Sequence, residues 1–70
     1  MTKVTAPLPG RIMSIKVKQG ESVTKDQELF VMEALKMENV IYSQDEGIVT
    51  EICVREGADV ESGDDVLEIA

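Results

Sequence analysis

The amino-acid sequence predicts an all-β protein, a flattened β-barrel or sandwich of two antiparallel sheets with internal pseudo-twofold symmetry. Three observations lead to this prediction. Short segments alternate apolar and polar residues, which is the pattern of half-buried strands. Turns that contain glycine separate these segments at regular intervals. The two halves of the chain also repeat each other, which indicates a duplicated unit.

The repeat has a spacing of 37 residues. Residues 1–33 align with residues 38–70 without a gap, and residues 34–37 join the halves as a hairpin. A chain of 70 residues forms one small domain, which we assign to residues 1–70. The identical pairs are aliphatic residues and glycines, and we place the glycines at turns: Gly10/Gly47, Ile15/Ile52, Val17/Val54, Gly20/Gly57 and Val23/Val60.

Each half is predicted to contain the same series of strands. In the first long strand, alternation places Met13, Ile15 and Val17 on one face, which we expect to be buried. Met13 and Met32 are interpreted as core residues, since methionine fills irregular gaps in a core. The predicted strands are residues 11–17, the region around Val23 and residues 29–32 in the first half, and residues 48–54, the region around Val60 and residues 66–69 in the second.

The composition argues against several classes of function. A net charge of −7 disfavours binding to nucleic acids and to anionic membranes. The chain has no histidine and a single cysteine, Cys53, so it offers no Ser-His or Cys-His pair and no zinc site. We therefore expect no catalytic residue and no metal. Cys53 is interpreted as a partly exposed, inert thiol on the outer face of its strand.

The sequence also bears on the location of the protein. No apolar segment is long enough to cross a bilayer, so we expect no membrane insertion. A single unpaired thiol fits a reducing compartment. We therefore predict a cytoplasmic protein, or one in the mitochondrial matrix if the chain is a fragment of a larger enzyme. Charge is uneven, at +1 for residues 1–33 and −9 for residues 38–70, and we interpret the acidic half as a solvated face.

The joint between the halves carries the candidate functional residue, Lys36. Residues 32–39 contain strong helix formers, but the segment is too short to hold a helix unaided and strands are predicted on both sides. A twofold axis would bring the two chain ends together, far from an exposed hairpin tip that bears Lys36. The tip lacks the Asn-Gly sequence that tight hairpins favour, which suggests that its side chains serve a function.

Residues 33–37, Glu-Ala-Leu-Lys-Met, resemble the biotinyl-lysine signature of the biotin/lipoyl attachment family, usually Glu-Ala-Met-Lys-Met. Residues 6–10, Ala-Pro-Leu-Pro-Gly, resemble the opening of carrier domains from biotin-dependent carboxylases, decarboxylases and transcarboxylases. The resemblance covers essentially the whole chain. The absence of an insertion between Val17 and Val23 resembles carriers without a thumb loop. The departures are Leu35 for Met, Asp26 for a frequent Gly, and Ser-Gln at residues 43–44 for Ala-Pro.

The resemblance implies a barrel-sandwich hybrid fold and the function of a biotin carboxyl carrier. It implies that a biotin protein ligase joins biotin to Lys36, and that the arm carries a carboxyl group between the active sites of a biotin carboxylase and a carboxyltransferase or decarboxylase. The chain would then be a non-catalytic domain or subunit of such an enzyme. The candidate residues for recognition by the ligase and the partner enzymes are Glu33, Ala34, Leu35 and Met37.

Two alternatives remain open. A lipoyl carrier of the same fold would use the same lysine, although lipoyl sites usually read Asp-Lys-Ala where this chain reads Leu-Lys-Met. An unmodified domain of the same fold would serve only as a structural or interaction module. At the level of single residues, Glu33 could be an ordinary solvated acid, and Leu35 and Met37 could simply cover one end of the sandwich.

Overall fold

A computed structural model describes residues 2–70, which form eight β-strands and no helix. The all-β prediction is confirmed. No helix in residues 2–70 could therefore serve as a membrane span. The strands are β1 (Thr2–Thr5), β2 (Gly10–Ile15), β3 (Ser22–Val23), β4 (Glu28–Ala34), β5 (Met37–Tyr42), β6 (Gly47–Ile52), β7 (Asp59–Val60) and β8 (Asp65–Ile69).

The strands form two antiparallel sheets of four strands each. One sheet has the order β1-β8-β6-β3 and the other has the order β5-β4-β2-β7. A shift of 37 residues exchanges β1 with β5, β2 with β6, β3 with β7 and β4 with β8, and this exchange turns one sheet order into the other. The predicted pseudo-twofold fold is confirmed. The sheets are not closed into a barrel, so the fold is a flattened sandwich, with extents of 31 × 19 × 17 Å.

Backbone hydrogen bonds interlock the two halves. The N–H of Gly57 donates to the carbonyl of Ile12, and the N–H of Gly20 donates to the carbonyl of Val49, each over 2.7 Å. Each half therefore satisfies backbone groups of the other half at an equivalent position. Buried backbone groups need such partners, so the two halves depend on each other for stability.

One core lies between the two sheets. It is mainly aliphatic and includes one aromatic side chain, Phe30. In residues 2–70, Ser43 is the single buried polar residue, and its hydroxyl donates to the carbonyl of Asp45 over 2.6 Å. The buried hydrophobic residues are Ala6, Ile12, Val17, Val23, Leu29, Phe30, Met32, Ala34, Val49, Val60, Val66, Leu67 and Ile69.

The prediction that Met13 lies in the core is wrong. Its side chain is 43% exposed, whereas Ile12 and Met32 are fully buried. The pairing of β2 with β4 shifts its register between Ile12 and Ser14. Such a bulge adds one residue to a strand and breaks the alternation of faces, so the residue before Met13 turns inward instead.

Gly10 and Gly47 are not turn residues, contrary to the prediction. They are the first residues of β2 and β6. A Cβ atom on Gly10 would overlap the carbonyl oxygen of Glu33, and one on Gly47 would overlap the carbonyl oxygen of Ala70. Space for a neighbouring strand therefore accounts for both glycines, since glycine permits a close approach of backbones.

Two pairs of equivalent turns do use the left-handed region of backbone conformation. Gly20 and Gly57 have φ angles of 90° and 89°. Asp26 has a φ of 70° where its counterpart Gly63 has 88°. Asp tolerates this region better than most residues, so the turn keeps its shape although the residue differs.

The chain ends described by the structure meet far from residues 34–37. Thr2 pairs with Ile69 across β1 and β8. The Thr2 hydroxyl also donates to a carboxylate oxygen of Asp45 over 3.2 Å, and Asp45 follows the end of β5 that lies away from the hairpin tip. Six residues of an antiparallel strand span about 17 Å, so the tip and the chain ends occupy opposite ends of β5.

Candidate functional site

Leu35 and Lys36 form a two-residue turn between β4 and β5. Ala34 and Met37 pair directly on either side of it, so residues 34–37 form a hairpin and residues 33–38 are not helical. Leu35 and Lys36 have φ angles of 55° and 63°. Positive φ at both central residues is the mark of a type I′ turn, which normally takes Asn and Gly. Neither residue relieves the left-handed penalty, which is about 1–2 kcal/mol per residue.

The turn places its side chains in solvent. Leu35 is 83% exposed, Met37 is 65% exposed, and Lys36 is exposed between them. The ion pairs within residues 2–70 are Lys3–Asp65 and Arg11–Asp59, so the Lys36 amine takes part in neither. The structure therefore offers an accessible primary amine next to two apolar side chains.

The other two predicted site residues lie on opposite faces of β4. Ala34 is buried, with 4% of its surface exposed, and Glu33 is exposed. Ala34 thus packs beneath the turn and supports it, whereas Glu33 lies on the surface beside it. Of the four predicted recognition residues, Glu33, Leu35 and Met37 are accessible to a partner.

A row of charged residues crosses the sheet next to the turn. Glu33 lies opposite Glu38 on β5 and opposite Arg11 on β2, and Arg11 lies opposite Asp59 on β7. Residues directly opposite in an antiparallel sheet share a face, and like charges there repel. The Arg11 Nε lies 3.3 Å from Asp59 Oδ1 in an exposed ion pair, a kind that contributes about 0–1 kcal/mol.

Sequence reasoning missed Arg11 and Asp59 as neighbours of the site. With Gly10, Glu33 and Lys36, they line one shallow depression beside the turn. The depression joins residues from three distant parts of the chain, so its composition depends on strand register. A single charged residue in residues 10–13, Arg11, gives no signal of which strands lie on either side.

Cys53 is exposed, as the sequence predicted. Desolvation raises the pKa of its thiol, and the negative charges of Glu51, Asp65 and Glu68 raise it further. The thiolate is the reactive form of cysteine, so these surroundings make Cys53 less reactive. Residues 2–70 hold no cluster of three His, Cys, Asp or Glu side chains that could bind a metal ion.

Comparison with known proteins gives relatives along almost the whole chain. Pyruvate carboxylase 1 of Caenorhabditis elegans is 44% identical over 66 residues, which is 94% of this chain and 6% of that protein. The biotin carboxyl carrier protein of Streptococcus mutans is 42% identical over 65 residues, 93% of this chain and 50% of that protein. The biotin/lipoyl attachment protein of Bacillus subtilis is 36% identical over 67 residues, 96% of this chain and 92% of that protein.

Solved structures share the fold. A single-chain, multi-domain long-chain acyl-CoA carboxylase matches with a TM-score of 0.89 and 27% identity, over 94% of this chain and 7% of that one. The lipoyl domain of the 2-oxoglutarate dehydrogenase complex from Azotobacter vinelandii matches with a TM-score of 0.87, over 100% of this chain and 96% of that one. Its identity of 24% shows a common fold and nothing more.

The chain spans half of the streptococcal carrier protein and a small fraction of the carboxylases. The family model described as biotin-requiring enzyme matches residues 2–69. The match includes every strand of both sheets and the exposed turn between β4 and β5. The chain therefore belongs to the biotin-requiring enzyme family.

Proposed function

We propose that Lys36 is the site of covalent biotin attachment and that the domain carries a carboxyl group between two active sites of a biotin-dependent carboxylase. One observation carries the proposal: an exposed amine, flanked by exposed apolar side chains, occupies a strained two-residue turn. Left-handed backbone at two non-glycine residues is costly, and such strain concentrates at functional sites.

The residues of the turn fit the attachment chemistry. An amide bond forms between Lys36 Nζ and the carboxyl carbon of biotin, which a biotin protein ligase first activates. The amine loses a proton and the activating group leaves the carboxyl carbon. The exposed amine has no competing partner among the ion pairs of residues 2–70. Attachment removes one positive charge from a chain whose net charge is −7.

The remaining contribution of the chain is mechanical. Pairing of Ala34 with Met37 holds the turn at the end of a continuous hairpin, and the burial of Ala34 anchors it to the core. When bound, biotin supplies a ureido group that accepts and releases a carboxyl group. A tethered carrier raises the effective concentration of this group at each active site. We assign no catalytic acid, base or metal to this chain.

The relatives support biotin over lipoyl attachment. Relatives with more than 40% identity are named as pyruvate carboxylases and a biotin carboxyl carrier protein, whereas the lipoyl domain shares only the fold. We propose a biotin protein ligase, a biotin carboxylase and a carboxyltransferase as partners. The acceptor is expected to be a keto acid or an acyl-CoA, in line with the relatives. Location in the cytoplasm or mitochondrial matrix stays a prediction.

The proposal is tested by Lys36→Arg, with Lys25→Arg as the matched control. Lys25 is also an exposed turn lysine, between β3 and β4. Each protein is co-expressed with a biotin protein ligase, and avidin capture and intact mass are measured. We expect one biotin adduct on the parent protein and on the Lys25 variant, and none on the Lys36 variant. Capture of the Lys36 variant, or a lipoyl adduct on the parent protein, would overturn the proposal.

A further inference from the structure

We propose that Gly10 is a positioning residue for the modification of Lys36. This inference rests on the proposed function. Gly10 opens β2, and its missing side chain lets β2 lie directly against the last residues of β4, two positions before the turn. The position of the Lys36 amine is therefore set in part by a residue from a different strand.

Steric contact, and not backbone conformation, requires glycine here. Gly10 is not among the residues with positive φ, so its backbone conformation is open to other amino acids. A Cβ atom on Gly10 would overlap the carbonyl oxygen of Glu33, and would lie 3.1 Å from both the carbonyl carbon of Glu33 and the Met32 Cε. Two of these three contacts are backbone atoms, which cannot rotate away as a side chain can.

The displacement caused by a side chain at position 10 should reach the turn. On its other side, Gly10 pairs with Val60 of β7, and this pairing limits movement of β2. The Met32 side chain is fully buried, so it holds β4 in place on the N-terminal side of Glu33. Beyond Glu33, Ala34 is the last buried residue of the strand, and the next two residues are exposed. Close-packed interiors transmit strain, and the least constrained segment next to this contact is the exposed turn with Lys36.

The pseudo-twofold symmetry supplies a matched control. Gly47 opens β6 as Gly10 opens β2. A Cβ atom on Gly47 would overlap the carbonyl oxygen of Ala70 and lie 2.7 Å from the Ile69 Cγ2. The main overlap is again with a backbone carbonyl oxygen, and the side-chain contact is closer than at Gly10, but the strand end that would be displaced belongs to β8 and is remote from Lys36. Gly47→Ala therefore reproduces the structural cost without touching the turn.

The reaction to measure is biotin transfer to Lys36 by a purified biotin protein ligase with biotin and ATP. A displacement of about 1 Å of a reacting group can lower a rate by about 100-fold. We expect Gly10→Ala to lower kcat by about 10-fold or more, and to change KM by less than about twofold because Leu35 and Met37 stay exposed. Gly47→Ala should leave both constants unchanged, although both variants should melt at a lower temperature than the parent protein.

A second measurement uses the unmodified proteins and does not depend on biotin. In two-dimensional NMR spectra, the amide signals of residues 34–38 should shift in Gly10→Ala and stay in place in Gly47→Ala. All measurements are made at a temperature at which circular dichroism shows each variant folded. If Gly10→Ala does not fold in buffer alone, the same comparison is made with sucrose, which favours the folded state.

The outcomes separate this inference from the proposed function. If the parent protein accepts no biotin, the proposed function fails, and the NMR comparison still decides whether Gly10 sets the turn. If the parent protein accepts biotin and Gly10→Ala does so with an unchanged kcat, the inference is overturned. Equal losses of kcat in the Gly10 and Gly47 variants would also overturn it, because they would reflect stability alone.

Discussion

At one end of the sandwich, β4 and β5 are joined through Leu35 and Lys36, whereas at the other end their pseudo-equivalents β8 and β1 pair without a connecting turn. The two strand pairs are interchanged by the same shift of 37 residues. Around the turn, the exposed side chains of Leu35 and Met37 are apolar. The loop that approaches Thr2 at the other end carries carboxylates, at Asp45 and Glu46.

The comparison shows which part of the site comes from the fold and which from the side chains. Duplication supplies an antiparallel strand pair at each end. One end alone closes that pair with left-handed Leu and Lys, and places Glu33 directly opposite Glu38. Both features oppose stability. Stability is therefore given up locally at the end that bears the exposed Lys36.

The largest expected effect tests whether the two ends share one core. Phe30 and Leu67 are pseudo-equivalent and fully buried, on β4 and β8 respectively. Phe30→Ala and Leu67→Ala should each lower the free energy of unfolding by about 3–4 kcal/mol. Because the halves interlock through Gly20 and Gly57, each variant should still unfold in a single urea transition. Separate transitions for the two ends would contradict a shared core.

The next test replaces the strained turn with one that suits its backbone. The double variant Leu35→Asn, Lys36→Gly should raise the free energy of unfolding in urea by about 1–2 kcal/mol, because Asn and Gly fit a type I′ turn. It should also accept no biotin. Lys36→Ala is the control, since it removes the amine and retains the left-handed strain. A double variant no more stable than this control would show that the turn stores no strain.

A smaller effect is expected at an equivalent pair of turns away from the site. Gly63→Asp should lower the free energy of unfolding by about 0.5–1 kcal/mol, because a Cβ atom is disfavoured at its φ of 88°. Asp26→Gly removes the corresponding penalty and should be stabilising by up to about 0.5 kcal/mol, since the greater freedom of glycine in the unfolded chain offsets part of the gain. Thermal melts of both variants measure this, and biotin acceptance should be unchanged.

The smallest expected effect is on the reactivity of the Cys53 thiol, which lies in the acidic half of the chain. Cys53 occupies the position equivalent to Lys16, within the acidic half. Because its pKa is raised, a smaller fraction is thiolate at any pH near 8, and alkylation by iodoacetamide should be slower in the folded protein than in the urea-unfolded chain. The alkylation rate should rise at a lower pH in the unfolded chain than in the folded protein. A faster reaction in the folded state would contradict this account of the acidic half.

Most strand segments, the pseudo-twofold relation of the two halves and the turn could be predicted from the sequence, because they depend on short-range pattern and on the repeat. Alternation, glycine spacing and the position of Lys36 between the halves are visible in a single chain. The prediction that the Met13 side chain points into the core was wrong. A β-bulge reverses which residues of a strand face the core, and the sequence does not show where a bulge occurs.

Other parts of the site were beyond the reach of sequence reasoning. The row that joins Arg11 to Glu33 and Asp59 depends on strand register, which no local pattern records. The reason for glycine at position 10 is a contact with a strand more than 20 residues away in the chain. A glycine required for φ can be inferred from turn chemistry, but one required for space needs the packed structure.

A symmetric sandwich that presents one lysine for acylation should be modified at that lysine alone. The most direct test is proteolysis and tandem mass spectrometry of the parent protein after reaction with a biotin protein ligase, biotin and ATP. The chain has five lysines, at positions 3, 16, 18, 25 and 36. We expect a single biotin amide on Lys36 and unmodified side chains at the other four positions. A biotin amide on a different lysine, or a protein that stays unmodified by an active ligase, would contradict the account.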